Sequence, residues 1–313
     1  MYIRTIVIAL SLLTLIGVGA WVLAQKQPVQ EQNAQYKSTG TSTANEIDSS
    51  STASESVREP MSISLATSTV LNTEDELSIQ LASPLSMHTA ARELGKVRFM
   101  AESPDGRIFA PDLVDYKLSH EGTVYILDDF NPQTKQFETT HTYLSDLRGP
   151  NSLAFYTDDD GQQWLYLALT AKLVRYPYQA GDTEPRGEPE VIARFPNEQA
   201  KSANSVVWHI TRTIEFHNGR LFVSVGSGCN ACEQEGEAMR GMIYEMAPDG
   251  SDQQVYARGL RNAVGFDFVD GTLYATENGA DHLGPNAPND VVYQLERGEH
   301  YGWPYCYEQD GVI

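Results

Sequence analysis

The sequence predicts an all-β protein, a β-propeller, and three observations carry that prediction. An Asp-Gly or Asn-Gly turn followed by an apolar, aromatic-containing run recurs four times, as DGRIFA, DGQQWLYLAL, NGRLFVSVG and DGTLYATE. The turn glycines Gly106, Gly161, Gly219 and Gly271 are separated by 55, 58 and 52 residues, close to a fixed period. Helical periodicity is nearly absent.

Each repeat reads in the same order. A short apolar strand comes first (KVRFMA, SLAFY, TIEF, VGFDF), then the Asx-Gly hairpin and a second strand, then a loop. A third strand with a central tyrosine closes the visible unit (TVYIL, LVRYPY, MIYEM, VVYQL), with room for a fourth. Antiparallel units of about 50 residues are propeller blades. A β-sandwich accounts for the strands but not for the long period.

The first quarter of the chain reads differently. Ile6 to Ala24 is a charge-free run of 19 residues behind Arg4, the layout of an export signal or of an uncleaved N-terminal anchor. From Lys37 to Pro60, 11 of 24 residues are Ser or Thr, a composition that cannot bury enough surface to offset its ordering entropy. The expected organisation is therefore a signal or anchor over 1–24, a disordered linker over 25–80 and a propeller domain over 81–313. The protein is expected to be exported, either periplasmic or held at a membrane by its N-terminus.

A formal net charge of −20 argues against nucleic acid and anionic membrane surfaces as partners. Cys229, Cys232 and Cys306 are too few for a disulfide scaffold. The CNAC spacing lacks the histidine that covalent haem attachment requires, since Glu233 follows it. A local disulfide is the preferred reading, with Cys306 the odd thiol, expected to be buried beside Trp303.

In a meander, successive connections alternate between the two ends of the blade. The Asx-Gly turns share one end, so the segments leading into each first strand and the loops between second and third strands share the other. WHITR (208–212), GSGCNACEQEGEAMRG (226–241), GLRN (259–262) and ENGADHLGPNAPND (277–290) all fall there, around the mouth of a central channel.

From His209 to Cys306, HITRTIEFHNGRLFVSVGS, GLRNAVGFDF and GTLYATENGADHLGPNAPNDVVYQLERGEHYGWPYC together resemble the soluble quinoprotein glucose/sorbosone dehydrogenases. Upstream, RGPNSLAF is similar to a blade start of the same family. The resemblance implies a six-bladed propeller, of which about four blades are visible before Ile313, so the domain is expected to be C-terminally incomplete. It implies pyrroloquinoline quinone (PQQ) and Ca2+ as cofactors, with further basic quinone ligands contributed by later blades.

Residue by residue, the resemblance makes His209 the catalytic base toward the anomeric hydroxyl of a sugar, a task suited to a group that titrates near neutrality. The plain alternative is a packing histidine. Trp208 stands where better-known glucose dehydrogenases carry an acid. Arg261 and Asn262 match the pair that holds the quinone, a bidentate cation followed by an amide. Gly279 and Ala280 match the carbonyl ligands of the quinone-clamping calcium, with Ala280 in place of a proline. Asp290 and the Tyr301 carbonyl resemble part of a second, structural calcium site.

The expected function is oxidation of an aldose at its anomeric carbon, with electrons passed to an external acceptor. The alternative is a sugar- or protein-binding propeller without the cofactor. A calcium-dependent lactonase-type propeller leaves the Arg-Asn pair and YGWP without a role.

Overall fold

The computed structural model describes residues 5–6, 65–71, 76–83, 85–114, 119–196, 208–232, 239–284 and 287–306. Almost all of the export segment and most of the linker lie outside the described residues. Among those described, no helix is long and apolar enough to cross a membrane. The chain divides into a larger unit (1–8, 69–77 and 88–313) and a smaller one (9–68 and 78–87).

The described strands begin with β1 (Thr5–Ile6), β2 (Leu65–Leu71), β3 (Glu76–Ala82) and β4 (Ala91–Arg92). Four antiparallel sheets follow in chain order. The first blade holds β5 (Ala101–Glu102), β6 (Ile108–Asp112), β7 (Gly122–Asn131) and β8 (Gln136–Leu147). The second holds β9 (Ser152–Thr157), β10 (Gln163–Ala168), β11 (Lys172–Tyr178) and β12 (Glu190–Arg194). The third holds β13 (Ile214–His217), β14 (Arg220–Val225), β15 (Met242–Met246) and β16 (Gln254–Arg258). The fourth holds β17 (Ala263–Val269), β18 (Thr272–Glu277) and β19 (Val291–Leu295). The first strands of successive blades adjoin, β5 to β9, β9 to β13 and β13 to β17.

The hairpin chemistry explains the four repeats. Gly106, Gly161, Gly219 and Gly271 take φ of +82°, +81°, +71° and +79°, the left-handed region that glycine enters without a Cβ penalty. One predicted strand is shorter than expected. Of KVRFMA only Ala101 pairs as strand, because Lys96 donates its backbone N–H to the Asp112 carboxylate at 2.6 Å and Gly95 does so at 3.0 Å.

Strand alternation builds the cores between blades. On β10, Leu165 and Leu167 pack toward Phe109, Val124 and Ile126 of the first blade. The intervening Tyr166 and Ala168 face Leu221, Val223 and Met246 of the third. On β14, Phe222 points the other way, into a cluster with Phe266, Leu273 and Leu295 of the fourth blade. The second and third sheets are thus buried on both faces by their neighbours, and the blade ends carry the loops.

Candidate active site

Four loops meet at one end of the third and fourth blades. Residues 208–213 lead into β13, 226–241 join β14 to β15, 259–262 lead into β17, and 278–290 join β18 to β19. This is the convergence expected from the meander.

His209 sits at φ +45°, a conformation that costs a non-glycine residue about 1–3 kcal/mol and so has to be held by its surroundings. Arg212 does the holding. Its side chain is wholly buried, and its guanidinium donates to the carbonyls of His209 at 2.7 Å and Thr211 at 2.8 Å. Burial alone lowers the Arg212 pKa to about 10, which leaves it charged.

The His209 ring is fixed by Ser227. Nδ1 lies 2.8 Å from the Ser227 carbonyl and 3.0 Å from Ser227 Oγ, whose own proton goes to the Cys229 carbonyl at 2.7 Å. Both neighbours of Nδ1 are therefore acceptors, so Nδ1 carries the proton and Nε2 keeps a lone pair. Burial first, and then the Arg261 guanidinium, push the His209 pKa down to about 4 against the opposing Ser227 hydrogen bond. The imidazole is neutral at neutral pH. Trp208 lies beside it with ring centroids 5.7 Å apart, and the Arg261 guanidinium is 6.0 Å from the Trp208 ring.

Gly226 separates His209 from Asn262. A Cβ at position 226 would stand 2.6 Å from His209 Cβ and 2.7 Å from Asn262 Oδ1, so no larger residue fits between them. The pair predicted from sequence is thus brought to the predicted base by a glycine that no sequence motif singles out.

Arg261 is 4% exposed and ties the loops together. It donates to the Asn230 carbonyl at 2.8 Å, Asn230 Oδ1 at 2.7 Å and the Asn278 carbonyl at 3.1 Å, while Asp281 lies 3.9 Å away. Asn230 also accepts from Asp281 N at 3.1 Å and from Trp303 Nε1 at 3.4 Å. It lies inside CNAC, where Cys229 and Cys232 form a disulfide, as preferred from the sequence. Cys306 departs from expectation and is exposed. The chain turns at Gly302, donates Cys306 N to the Gly302 carbonyl at 2.8 Å and so swings the thiol outward.

Three of the four predicted calcium residues, Gly279, Ala280 and Tyr301, line a neighbouring pocket together with Arg261, Glu277 and Trp303, among others; Asp290 does not line it. Ala280 is buried. Asp290 is exposed, and its carboxylate accepts from Gly279 N at 2.7 Å and Asn278 Nδ2 at 3.3 Å. Tyr301 uses its hydroxyl within its own turn, accepting from Glu296 N at 2.7 Å and donating to the Gln294 carbonyl at 3.1 Å. His209 and Asn262 do not line this pocket.

Glu277 is the residue that sequence reasoning passed over. One carboxylate oxygen accepts from Asn262 N at 2.8 Å, and the other is buried without a hydrogen-bond partner. Burial raises its pKa to about 7. A Cβ on Gly279 would meet the carbonyls of Pro288 at 2.8 Å and Asn289 at 3.1 Å. Glu277, with its orphaned carboxylate oxygen, lines the same pocket as Gly279, Ala280, Pro288 and Asn289, and carboxylate and carbonyl oxygens are the donors calcium takes. The described residues hold no cluster of three His, Cys, Asp or Glu side chains, so a cation here relies on carbonyl oxygen. The two guanidinium charges that depress His209 likewise suit an anionic cofactor.

Residues 195–310, which contain every residue named above, match the glucose/sorbosone dehydrogenase family. Over these residues the chain is similar to that family. A 98-residue stretch of the chain is 34% identical to an uncharacterized protein of Borreliella burgdorferi, covering 30% of this chain and 25% of that one. Among solved structures, the holo PQQ domain of a pyranose dehydrogenase from Coprinopsis cinerea superposes with a TM-score of 0.54 at 16% identity, over 69% of this chain and 54% of that one. The calcium structure of a Trichoderma reesei carbohydrate-active enzyme of family AA12 gives 0.53 at 19% identity, over 69% and 58%. These two show the fold. The chain spans a little over half the length of those two structural neighbours.

Proposed function

We propose that the protein oxidises an aldose or related sugar at the anomeric carbon, dependent on PQQ and Ca2+, and passes the electrons to an external acceptor. The observation that carries this reading is His209, held neutral with its proton on Nδ1 and a free lone pair on Nε2, one glycine away from the Arg261–Asn262 pair. When bound, the quinone supplies a hydride acceptor and the calcium polarises it. The chain's own residues do the rest. His209 Nε2 takes the hydroxyl proton, Ser227 holds the ring, and Trp208 shields the site from water. Arg261 and Asn262 bind the anionic quinone, and the Gly279 and Ala280 carbonyls with Glu277 hold the cation.

The reading includes an exported protein, either periplasmic or held at a membrane by its N-terminal segment, with no haem at CNAC, because its two thiols bond to each other. One observation favours a cofactor-free binding propeller instead. Arg261 spends three N–H donors on loop acceptors, out of five that a guanidinium offers.

Equilibrium binding of PQQ to the full chain, read by absorbance with and without calcium, separates the two. The dehydrogenase reading predicts calcium-dependent binding that Arg261→Lys weakens by about tenfold or more, since a lysine cannot reproduce the planar fork. Absence of quinone binding in the folded protein would leave the binding propeller.

A further inference from the structure

A second pocket lies at the same blade ends as the candidate active site, between the first and second blades. It is lined by His120, Asp146, Leu147, Arg148, Leu169, Ala171, Lys172 and Arg194. Topology places it on the His209 side. Arg148 leads into β9 as residues 208–213 lead into β13, and residues 169–171 join β10 to β11 as 226–241 join β14 to β15. The two regions are hydrogen-bonded to each other, because Asn151 donates its amide to the Arg212 carbonyl at 2.9 Å.

The charge in this pocket runs against the rest of the molecule. The chain carries 42 Asp and Glu against 22 Lys and Arg, yet Arg148, Lys172, Arg194 and His120 meet here, with Asp146 the one carboxylate among the described residues of the lining. Lys172 and Arg194 stand directly opposite each other in the β11–β12 register. Like charges at facing positions destabilise a sheet. No carboxylate among the described residues forms an ion pair with either. The backbone sets the arrangement, since Thr170 N donates to the Arg148 carbonyl at 3.3 Å and draws the β10–β11 turn onto the β9 lead-in. Leu147, Leu169 and Ala171 supply an apolar wall against which a ring or carbon chain can lie.

We propose that this pocket binds a small anion through a carboxylate or phosphate group, with Arg148, Lys172 and Arg194 as its cationic contacts. The Lys172–Arg194 juxtaposition is then a site whose repulsion a ligand relieves, and an arginine there offers the fork that matches either anion. If the sugar oxidation proposed above holds, the same pocket makes acidic or phosphorylated saccharides the favoured ligands at this end of the propeller. The binding itself does not depend on that reading.

Calorimetric titration of the full chain with inorganic phosphate and, separately, with glucuronate tests the proposal. Glucose and sodium chloride at matched ionic strength serve as controls. Binding of either anion in excess of both controls, weakened about tenfold or more by Lys172→Ala combined with Arg194→Ala, is the expected result. Phosphate alone would identify the phosphate source, and glucuronate alone the acidic sugar. Lys172 and Arg194 lie at strand ends, so the double variant is expected to fold with undiminished stability. If it does not, Arg194→Gln alone gives the same comparison. No binding above the controls, or equal binding by the variant, would overturn the proposal. Because no quinone is present, a negative result here leaves the oxidation reading standing.

Discussion

Replacing His209 by Asn is expected to lower kcat for sugar oxidation by about 10²- to 10⁴-fold, the range for loss of a positioned general base. PQQ affinity should change little, since Arg261, Asn262 and the calcium donors remain. The variant also carries a stability signature. The folded His209 has its pKa lowered to about 4, below its ordinary 6.5, so the unfolded chain binds a proton that the folded chain refuses. The stabilising contribution of neutral His209 is fully present above 6.5 and is lost as pH falls toward 4. Glu215 and Glu277, both raised to about 7 by burial, act in the opposite sense as pH rises from 4.5. The difference between the parent and His209→Asn therefore isolates the histidine. In chemical denaturation of the cofactor-free protein, the variant should lose less stability than the parent between pH 6.5 and pH 4; equal slopes would mean that the imidazole is not buried as described.

Gly226→Ala should come close to the same loss of activity without touching a reacting group. The added methyl would stand 2.6 Å from His209 Cβ and 2.7 Å from Asn262 Oδ1, distances at which one side or the other must move. Displacement of a catalytic group by about 1 Å can cost on the order of 10²-fold in rate, and overpacking costs a further ~1–3 kcal/mol of stability. Gly271→Ala provides the contrast. Its φ of +79° makes the substitution destabilising by about 1–2 kcal/mol, but nothing lies within 4 Å of the new methyl and the site is at the other end of the blade. Parallel thermal melts and kcat measurements should show both variants weakened and only Gly226→Ala impaired in turnover. Unchanged turnover in Gly226→Ala would show that the spacing of His209 and Asn262 is not critical.

The propeller was legible because a blade repeats a local event. An Asx-Gly hairpin needs glycine at a positive φ, and four such glycines at a near-constant interval leave few other architectures. Alternation along DGQQWLYLAL sets Leu165 and Leu167 against one neighbour and Tyr166 against the other. The site was legible in part. His209, Arg261 and Asn262 stand at strand lead-ins, where chain order alone determines which end of the blade they occupy. Gly226, Ser227, Asn230 and Glu277 were not, because their work depends on contacts between loops distant in sequence. Asn230 is the clearest case. It lies in the middle of CNAC, where attention falls on the cysteines, yet its carbonyl and amide oxygens are what Arg261 binds. Lys172 and Arg194 were hidden for the same reason, being 22 residues apart until the β11–β12 pairing sets them face to face.

The most direct test of the central claim is dye reduction by the full chain supplied with PQQ and calcium, over a panel of aldoses. Reduction that requires the sugar, the quinone and the calcium together, and that falls with His209→Asn, is the predicted result. Quinone-bound protein that reduces no dye with any aldose, or that does so equally well without His209, would contradict it.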